Sequence, residues 1–428
     1  MTDSPTIAFF PEASFGAALN CVGIAQQLRL LGANPVFICH PGFTGLFTEY
    51  GFREFHLPDT ERNSAEMNAD YWQNFITTHL PHFNLTPFEQ LDTYVTPAWD
   101  AIVDTVENVE DGLKDLLAQI KPDVIVLDNV IMFPAIANAG CPWVRVVSCA
   151  ETEIPDPKVP PYLSGLSARD TEACHRFQKS YLSNIRPQHQ RYNDFRKAKG
   201  LHVLPAGTFL ETSPWLNLLL SPEAVRYERA DALSEKQFVF LDGCVRDQGH
   251  FKPPQFAIDV GPLIYMSFGS LGASDTDLIG RMIHVFADLP ARFLVNVGGF
   301  LESYDAVPDN VILGSWFPQP SVVEQCALFI HHGGNNSFCE ALYYGVPSLV
   351  MPYCWDGHDN AQRCNETGVG LSVDRATWTE ASLKSTIIEL LNNDAMNAHL
   401  AEISARMKKH RGTRHAAEAV LKIANAKI

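Results

Sequence analysis

Short apolar runs alternate with longer segments of helical periodicity along most of the chain. Residues 6–10 read as a buried strand, 16–31 carry apolar positions at helical spacing with Gly32 as the stop, and 35–39 read as the next strand. Residues 60–115 read as mostly helical, interrupted at Pro81 and Pro87. Strands over 124–128 and 144–148 flank a helix over 134–139. Pro155, Pro157, Pro160 and Pro161 make an irregular loop of 154–166, a long helix or helix pair is predicted over 169–199, and 201–204 and 238–240 read as strands. A second series then begins, with strands over 263–268, 292–297, 311–314, 328–331 and 348–352 and helices over 336–344, 379–391 and 394–427. Strands apolar on both faces, set between helices, predict parallel sheets covered on both sides.

At 428 residues the chain exceeds one ordinary core and matches two domains of about 200 residues each. The expected fold is α/β: two Rossmann-like, doubly wound parallel-sheet domains facing each other across a cleft. Residues 1–241 form the first domain, 242–260 a Gly- and Pro-containing linker, and 261–405 the second domain. A helix over 406–428 is expected to pack back towards the first. Ligands of such sheets lie beyond the carboxyl ends of the strands.

Composition narrows the function. Apolar residues are 46% and charged residues 19%, which describes a globular chain. A net charge of -17 without a Lys/Arg cluster argues against a nucleic-acid partner. Ten cysteines without a CxxC pair read as reduced thiols, not a disulfide frame or zinc site, and no metal is expected. The start of the chain lacks a basic stretch followed by an apolar run, and no stretch reaches about 18 apolar residues, so neither a leader nor a spanning helix is expected, and a cytoplasmic setting is.

The densest chemistry lies between Trp316 and Asn360. His332-Gly333-Gly334 follows a buried strand, and Asn336-Ser337 opens the next helix. Adjacent glycines let the backbone approach a ligand, and first-turn N–H groups suit a phosphate. His332, Asn336 and Ser337 can each donate to a diphosphate, and Glu340, one turn on, can accept from ribose. Gly269-Ser270 ends another strand and can line the phosphate side. Trp316 can stack on a base and Gln319 can bind its edge. Taken singly, each of these also serves as a cap, a turn or core packing.

This stretch resembles the signature of the UDP-dependent glycosyltransferase family of GT-B architecture, and in particular its bacterial macrolide and natural-product members. The matching residues are Trp316, Pro318-Gln319, His332-Gly333-Gly334, Asn336-Ser337, Glu340, Gly345-Val346-Pro347, Pro352, Asp356 and Asn360-Ala361. The resemblance implies an inverting hexosyl transfer from a UDP-sugar, with UDP-glucose as first choice and a dTDP-sugar as alternative, to a lipophilic small-molecule acceptor. It implies no further cofactor, and a monomer or homodimer. It places Trp316 on the uracil, Gln319 beside the nucleoside, Ser270, His332, Gly334, Asn336 and Ser337 at the diphosphate, Glu340 at the ribose and Asp356 at the sugar.

Two departures stand out. The family's Asp-Gln pair is Asp356-Gly357 here, leaving His358 or Asp359 to compensate. The family's catalytic histidine is replaced by Ala17, while Asp128 matches the aspartate that orients it. The base is then Asp128 or Glu12, or a histidine, His79 or His82, from the helical region, unless an acidic phenol or anionic acceptor needs little general base. Tyr71, Trp72, Phe75, Phe83, Phe88, Met132 and Phe133 are candidates for an apolar acceptor pocket, or for ordinary core. Against transfer stand a catalytically silent nucleotide-sugar-binding partner and a related epimerase or hydrolase.

Overall fold

The computed structural model describes residues 4–58, 74–258 and 261–426. The predicted pocket residues Tyr71 and Trp72 lie outside them.

The first sheet comprises β1 (Thr6–Pro11), β2 (Asn34–Cys39), β3 (Arg53–His56), β4 (Val124–Asp128), β5 (Trp143–Val147), β6 (Leu216–Leu219) and β7 (Phe238–Phe240). Its order is β3-β2-β1-β4-β5-β6-β7, and every pairing is parallel. The second sheet comprises β8 (Leu263–Ser267), β9 (Arg292–Asn296), β10 (Val311–Gly314), β11 (Leu328–His331), β12 (Ser348–Val350) and β13 (Gly370–Ser372). It is also all parallel, in the order β10-β9-β8-β11-β12-β13. In both, the order reverses beside the first strand of the series, and β1 and β8 therefore feed their loops into the crevice where ligands bind. The central strands β4, β5, β8 and β11 are buried throughout, and their sequences are apolar apart from Asp128, Arg145, Ser267 and His331.

The helices that shape the cleft are α1 (Phe15–Leu30), α2 (Thr96–Ile120), α3 (Asn335–Tyr344), α4 (Asp356–Thr367), α5 (Asp394–His410) and α6 (Gly412–Asn425). Ser14 caps α1 by accepting from the Ala17 N–H. The single helix expected over 394–427 is two. Arg411 turns left-handed at φ 51°, and Gly412 then passes so close to the Asp242 and Gly243 carbonyls that a Cβ would lie 2.5 Å from the Gly243 oxygen. Beyond this break α6 buries Ala416, Ala417 and Val420 with Ala18, Cys21 and Val22 of α1.

The strand expected over 201–204 does not form. Side chains of the preceding helix take its backbone: Asn193 accepts the Leu204 N–H at 2.8 Å and donates to its carbonyl, and Arg196 donates to the His202 carbonyl at 2.9 Å. The sheet position is filled by β6, which the reading missed.

Hydrogen bonds tie the two halves across the cleft. The Asn335 amide donates to the Ser148 and Leu220 carbonyls at 2.9 Å each. Arg363 donates to the Val225 and Arg226 carbonyls at 2.9 and 2.7 Å. Gln90 donates to the Tyr353 carbonyl at 2.7 Å.

Candidate active site

A cleft of about 740 Å³ runs between the two sheets. The carboxyl ends of β1, β4, β8 and β11 open into it through their following loops.

On the second domain's side, α3 begins directly after β11. The Phe338 N–H makes an intrahelical bond to the Gly334 carbonyl at 3.1 Å, so the N–H groups of Asn336 and Ser337 precede it and face the loop. Gly334 is compelled by packing, since a Cβ there would lie 2.5 Å from His332 Nε2. The imidazole of His332 stacks on Tyr353, and burial followed by the Arg375 charge lowers its pKa to about 4. It is therefore neutral near pH 7, and its Nδ1 has no hydrogen-bond partner among the described residues. Ser270, Asn336 and Ser337 line the same end of the cleft. A neutral ring, hydroxyls, an amide and helix-end N–H groups form a polar cradle of the kind that accepts a diphosphate.

Trp316 lines the cleft and is 62% exposed, leaving a ring face available for stacking. Gln319 donates to Glu340 at 2.7 Å and to Ser337 at 3.1 Å. Glu340, expected at the ribose, is fully buried behind the cleft lining and pairs with Arg246 at 2.9 Å. Arg246 comes from the segment expected to be a linker. It lines the cleft, and the sequence reading missed it for lack of any local motif. Asp356 accepts from the Asn335 N–H at 2.9 Å and from Asn360 at 3.3 Å. Burial first, then nearby Asp359 and Glu12, raises its pKa to about 7.

Gly357 is more than a missing side chain. A Cβ there would lie 2.6 Å from the His332 carbonyl, and one on Gly333, at φ +90°, would lie 2.6 Å from the Gly357 carbonyl. The two loops touch backbone to backbone. His358 and Asp359 do not line the cleft. His358 meets Gln90 at 3.1 Å, and Asp359 accepts from Thr152, Leu163 and Gly165 at 2.7, 2.9 and 2.8 Å. Both serve the contact between domains, so neither takes the place of the absent glutamine. Gly357→Gln is accordingly expected to push the His332 loop aside and weaken nucleotide binding, which calorimetry with UDP checks.

On the first domain's side, Glu12 lines the cleft just beyond β1, and its N–H donates to the Asp128 carbonyl at 2.7 Å. Burial raises its carboxyl to about 7, against a weak opposing hydrogen bond from Ser14. Asp128 lies beneath the cleft wall, 2% exposed. It accepts from Ser148 at 2.6 Å and from the Cys21 thiol at 3.8 Å, and burial lifts its pKa to about 8. Ala17, which does line the cleft, lies one turn before Cys21 on the same helix. His79 packs against Phe75 and Tyr94 and lies 3.1 Å from His82, and neither histidine lines the cleft.

Of the aromatic candidates, Phe75 and Phe133 line the cleft. Phe83 is core against Tyr94 and Tyr353, Phe88 packs on Phe177, and Met132 is buried against Arg145. Tyr94, Ile102 and Trp355 also line the cleft and were not foreseen. Trp355 adopts φ 54°, ψ -140°, an unfavourable backbone for a bulky residue, immediately before Asp356. Cys39, Glu54 and His56 are close enough to share an ion, but they lie on β2 and β3, and Glu54 already accepts from the N–H groups of Gly45, Phe47 and Thr48.

Residues 285–422 match the family model described as Erythromycin biosynthesis protein CIII-like, C-terminal domain. The chain is 26% identical over 238 residues to the oleandomycin glycosyltransferase of Streptomyces antibioticus, covering 55% of each protein. It is 22% identical over 425 residues to the demethyllactenocin mycarosyltransferase of Streptomyces fradiae, covering 97% of this chain and 85% of that one. It spans about half the length of several of the other relatives it matches. The crystal structure of the glycotransferase of kitacinnamycin superposes with a TM-score of 0.70 at 21% identity, covering 98% of this chain and 99% of that one, which establishes a common fold. With the motif between Trp316 and Asn360 and the two facing sheets, these matches give the chain the GT-B architecture and make it similar to nucleotide-sugar glycosyltransferases of macrolide or natural-product type.

Proposed function

We propose that the protein is an inverting glycosyltransferase that moves a hexose from a nucleotide sugar to a hydroxyl of a lipophilic aromatic or polyketide-like molecule. The observation that carries this reading is a single cleft with a polar, phosphate-suited cradle on one wall and a carboxyl among aromatic residues on the other. Trp316 and Gln319 bind the nucleoside, Glu340 the ribose, Ser270, His332, Gly334, Asn336 and Ser337 the diphosphate, and Asp356 the sugar. UDP is the first choice of nucleotide. The thymidine diphosphate complex of the similarly folded spinosyn rhamnosyltransferase SpnG supports testing dTDP-sugars as well as UDP-glucose.

A neutral hydroxyl is a weak nucleophile, and removing its proton as it attacks the anomeric carbon is the task of a general base. Glu12 takes that role. It reaches the cleft, and its carboxyl titrates close to neutrality. Asp128 acts as a positioning residue, since its carbonyl holds the Glu12 N–H and its carboxyl is engaged by Ser148 and Cys21. Negative charge developing on the leaving diphosphate is met by the donors of the α3 junction. Attack on the face opposite the nucleotide inverts the anomeric centre.

The test is incubation with UDP- and dTDP-sugars and a panel of phenolic and macrocyclic hydroxyl acceptors, followed by mass spectrometry. A sugar-sized mass gain on an acceptor supports transfer. Donor breakdown without acceptor would favour an epimerase or hydrolase, and binding without any product would favour a silent partner.

A further inference from the structure

A second cavity of about 420 Å³ lies inside the first domain and shares no lining residue with the cleft. It sits beneath the proline-rich loop. Trp99 stacks on Phe209 at 3.8 Å on one side, and Tyr162 and Tyr181 complete an aromatic lining. Trp99 and Tyr162 both touch Trp355, whose ring belongs to the cleft, so aromatic side chains wall one space from the other.

The polar group inside is unusual. Glu153 lines the cavity at 9% exposure, and its Oε1 has no hydrogen-bond partner among the described residues, the Cys149 thiol being the one side-chain group bonded to the carboxyl. The Tyr162 hydroxyl is likewise buried without one among the described residues. Nearby cations are engaged elsewhere: Lys158 is paired with Glu228, Arg229 lies with Glu151 and Asp156, and Arg145, which feels the Glu153 charge, donates to the Asn129, Ile131 and Glu211 carbonyls. An unpaired buried acid costs free energy that a matching donor recovers. Burial, helped by the Asp356, Asp128 and Glu12 charges and opposed by the Cys149 thiol, lifts the Glu153 carboxyl to about 8, so it is mostly protonated at neutral pH. A base entering the cavity can take that proton and remain as its counter-ion, while the rings offer apolar contact and faces suited to a cation.

We propose that this cavity is a second ligand site, which takes a ring-bearing organic amine, its nitrogen on Glu153 and its ring among Trp99, Tyr162 and Phe209. The site shares no lining residue with the nucleotide cleft.

Calorimetric titration of the full chain with 1-naphthylmethylamine, the matching alcohol 1-naphthylmethanol and the acid 1-naphthoate tests it. The amine is expected to bind one per chain, equally well with and without saturating UDP, and the alcohol and acid at least about tenfold more weakly. Glu153→Gln removes the acid at constant shape, and Gln178→Trp places a large ring at an exposed lining position where folding is undisturbed. Each is expected to weaken the amine at least about tenfold. No amine binding, equal binding of the alcohol, displacement by UDP, or unchanged affinity in both variants would overturn the assignment.

Discussion

Glu12→Gln is expected to lower turnover about 10²- to 10⁴-fold, the usual worth of a positioned general base, while leaving UDP affinity unchanged. The pH profile carries the argument further. Burial holds the Glu12 carboxyl near 7, so below that pH it is protonated and cannot accept the hydroxyl proton. Turnover should rise as pH increases through about 7, and that limb should vanish in the glutamine variant. A retained limb would assign the base elsewhere, with Asp128, whose pKa lies near 8, as the next candidate. Ala17→His offers a gain-of-function check. Residue 17 lines the cleft one turn from Cys21, and Cys21 already reaches Asp128. A histidine there, added to the Glu12→Gln variant, is expected to restore part of the lost rate with a profile set by imidazole.

The parallel sheets were legible because their strands are apolar on both faces: 124–128, 238–240, 311–314 and 328–331 coincide with β4, β7, β10 and β11. The strand β3, reading Arg-Glu-Phe-His at the sheet edge, gave no such signal. The junction from His332 to Glu340 was legible because the residues that build it are contiguous. The other wall was legible only in part: Glu12, Phe75 and Phe133 were named singly, whereas Tyr94 and Ile102 from the helical region and Trp355 from the opposite domain were not, because its members come from separate elements. Arg246 shows the same limit, since its partner Glu340 is 94 residues away. Asn335 was passed over as a neighbour of the motif, and it turned out to bridge the domains. Its side chain spends both donors on first-domain carbonyls, which no pattern local to 332–340 could reveal.

Glu340→Ala is expected to destabilise the fold as well as abolish nucleotide binding. Arg246 is 5% exposed and Glu340 fully buried, so removing the carboxylate strands a guanidinium with little access to water. Breaking a buried pair in this way costs about 3–5 kcal/mol. Gln319, which now donates to Glu340 at 2.7 Å, would lose its acceptor too. The two consequences can be separated. Arg246→Met combined with Glu340→Leu removes both charges and refills the volume, and it should recover much of the stability seen in urea unfolding because the partners are directly coupled. It should not recover UDP binding, since a leucine cannot accept from ribose hydroxyls. Recovery of binding together with stability would mean that Glu340 supports the cleft only through Arg246. A single alanine variant as stable as the parent would mean that the pair is hydrated in solution.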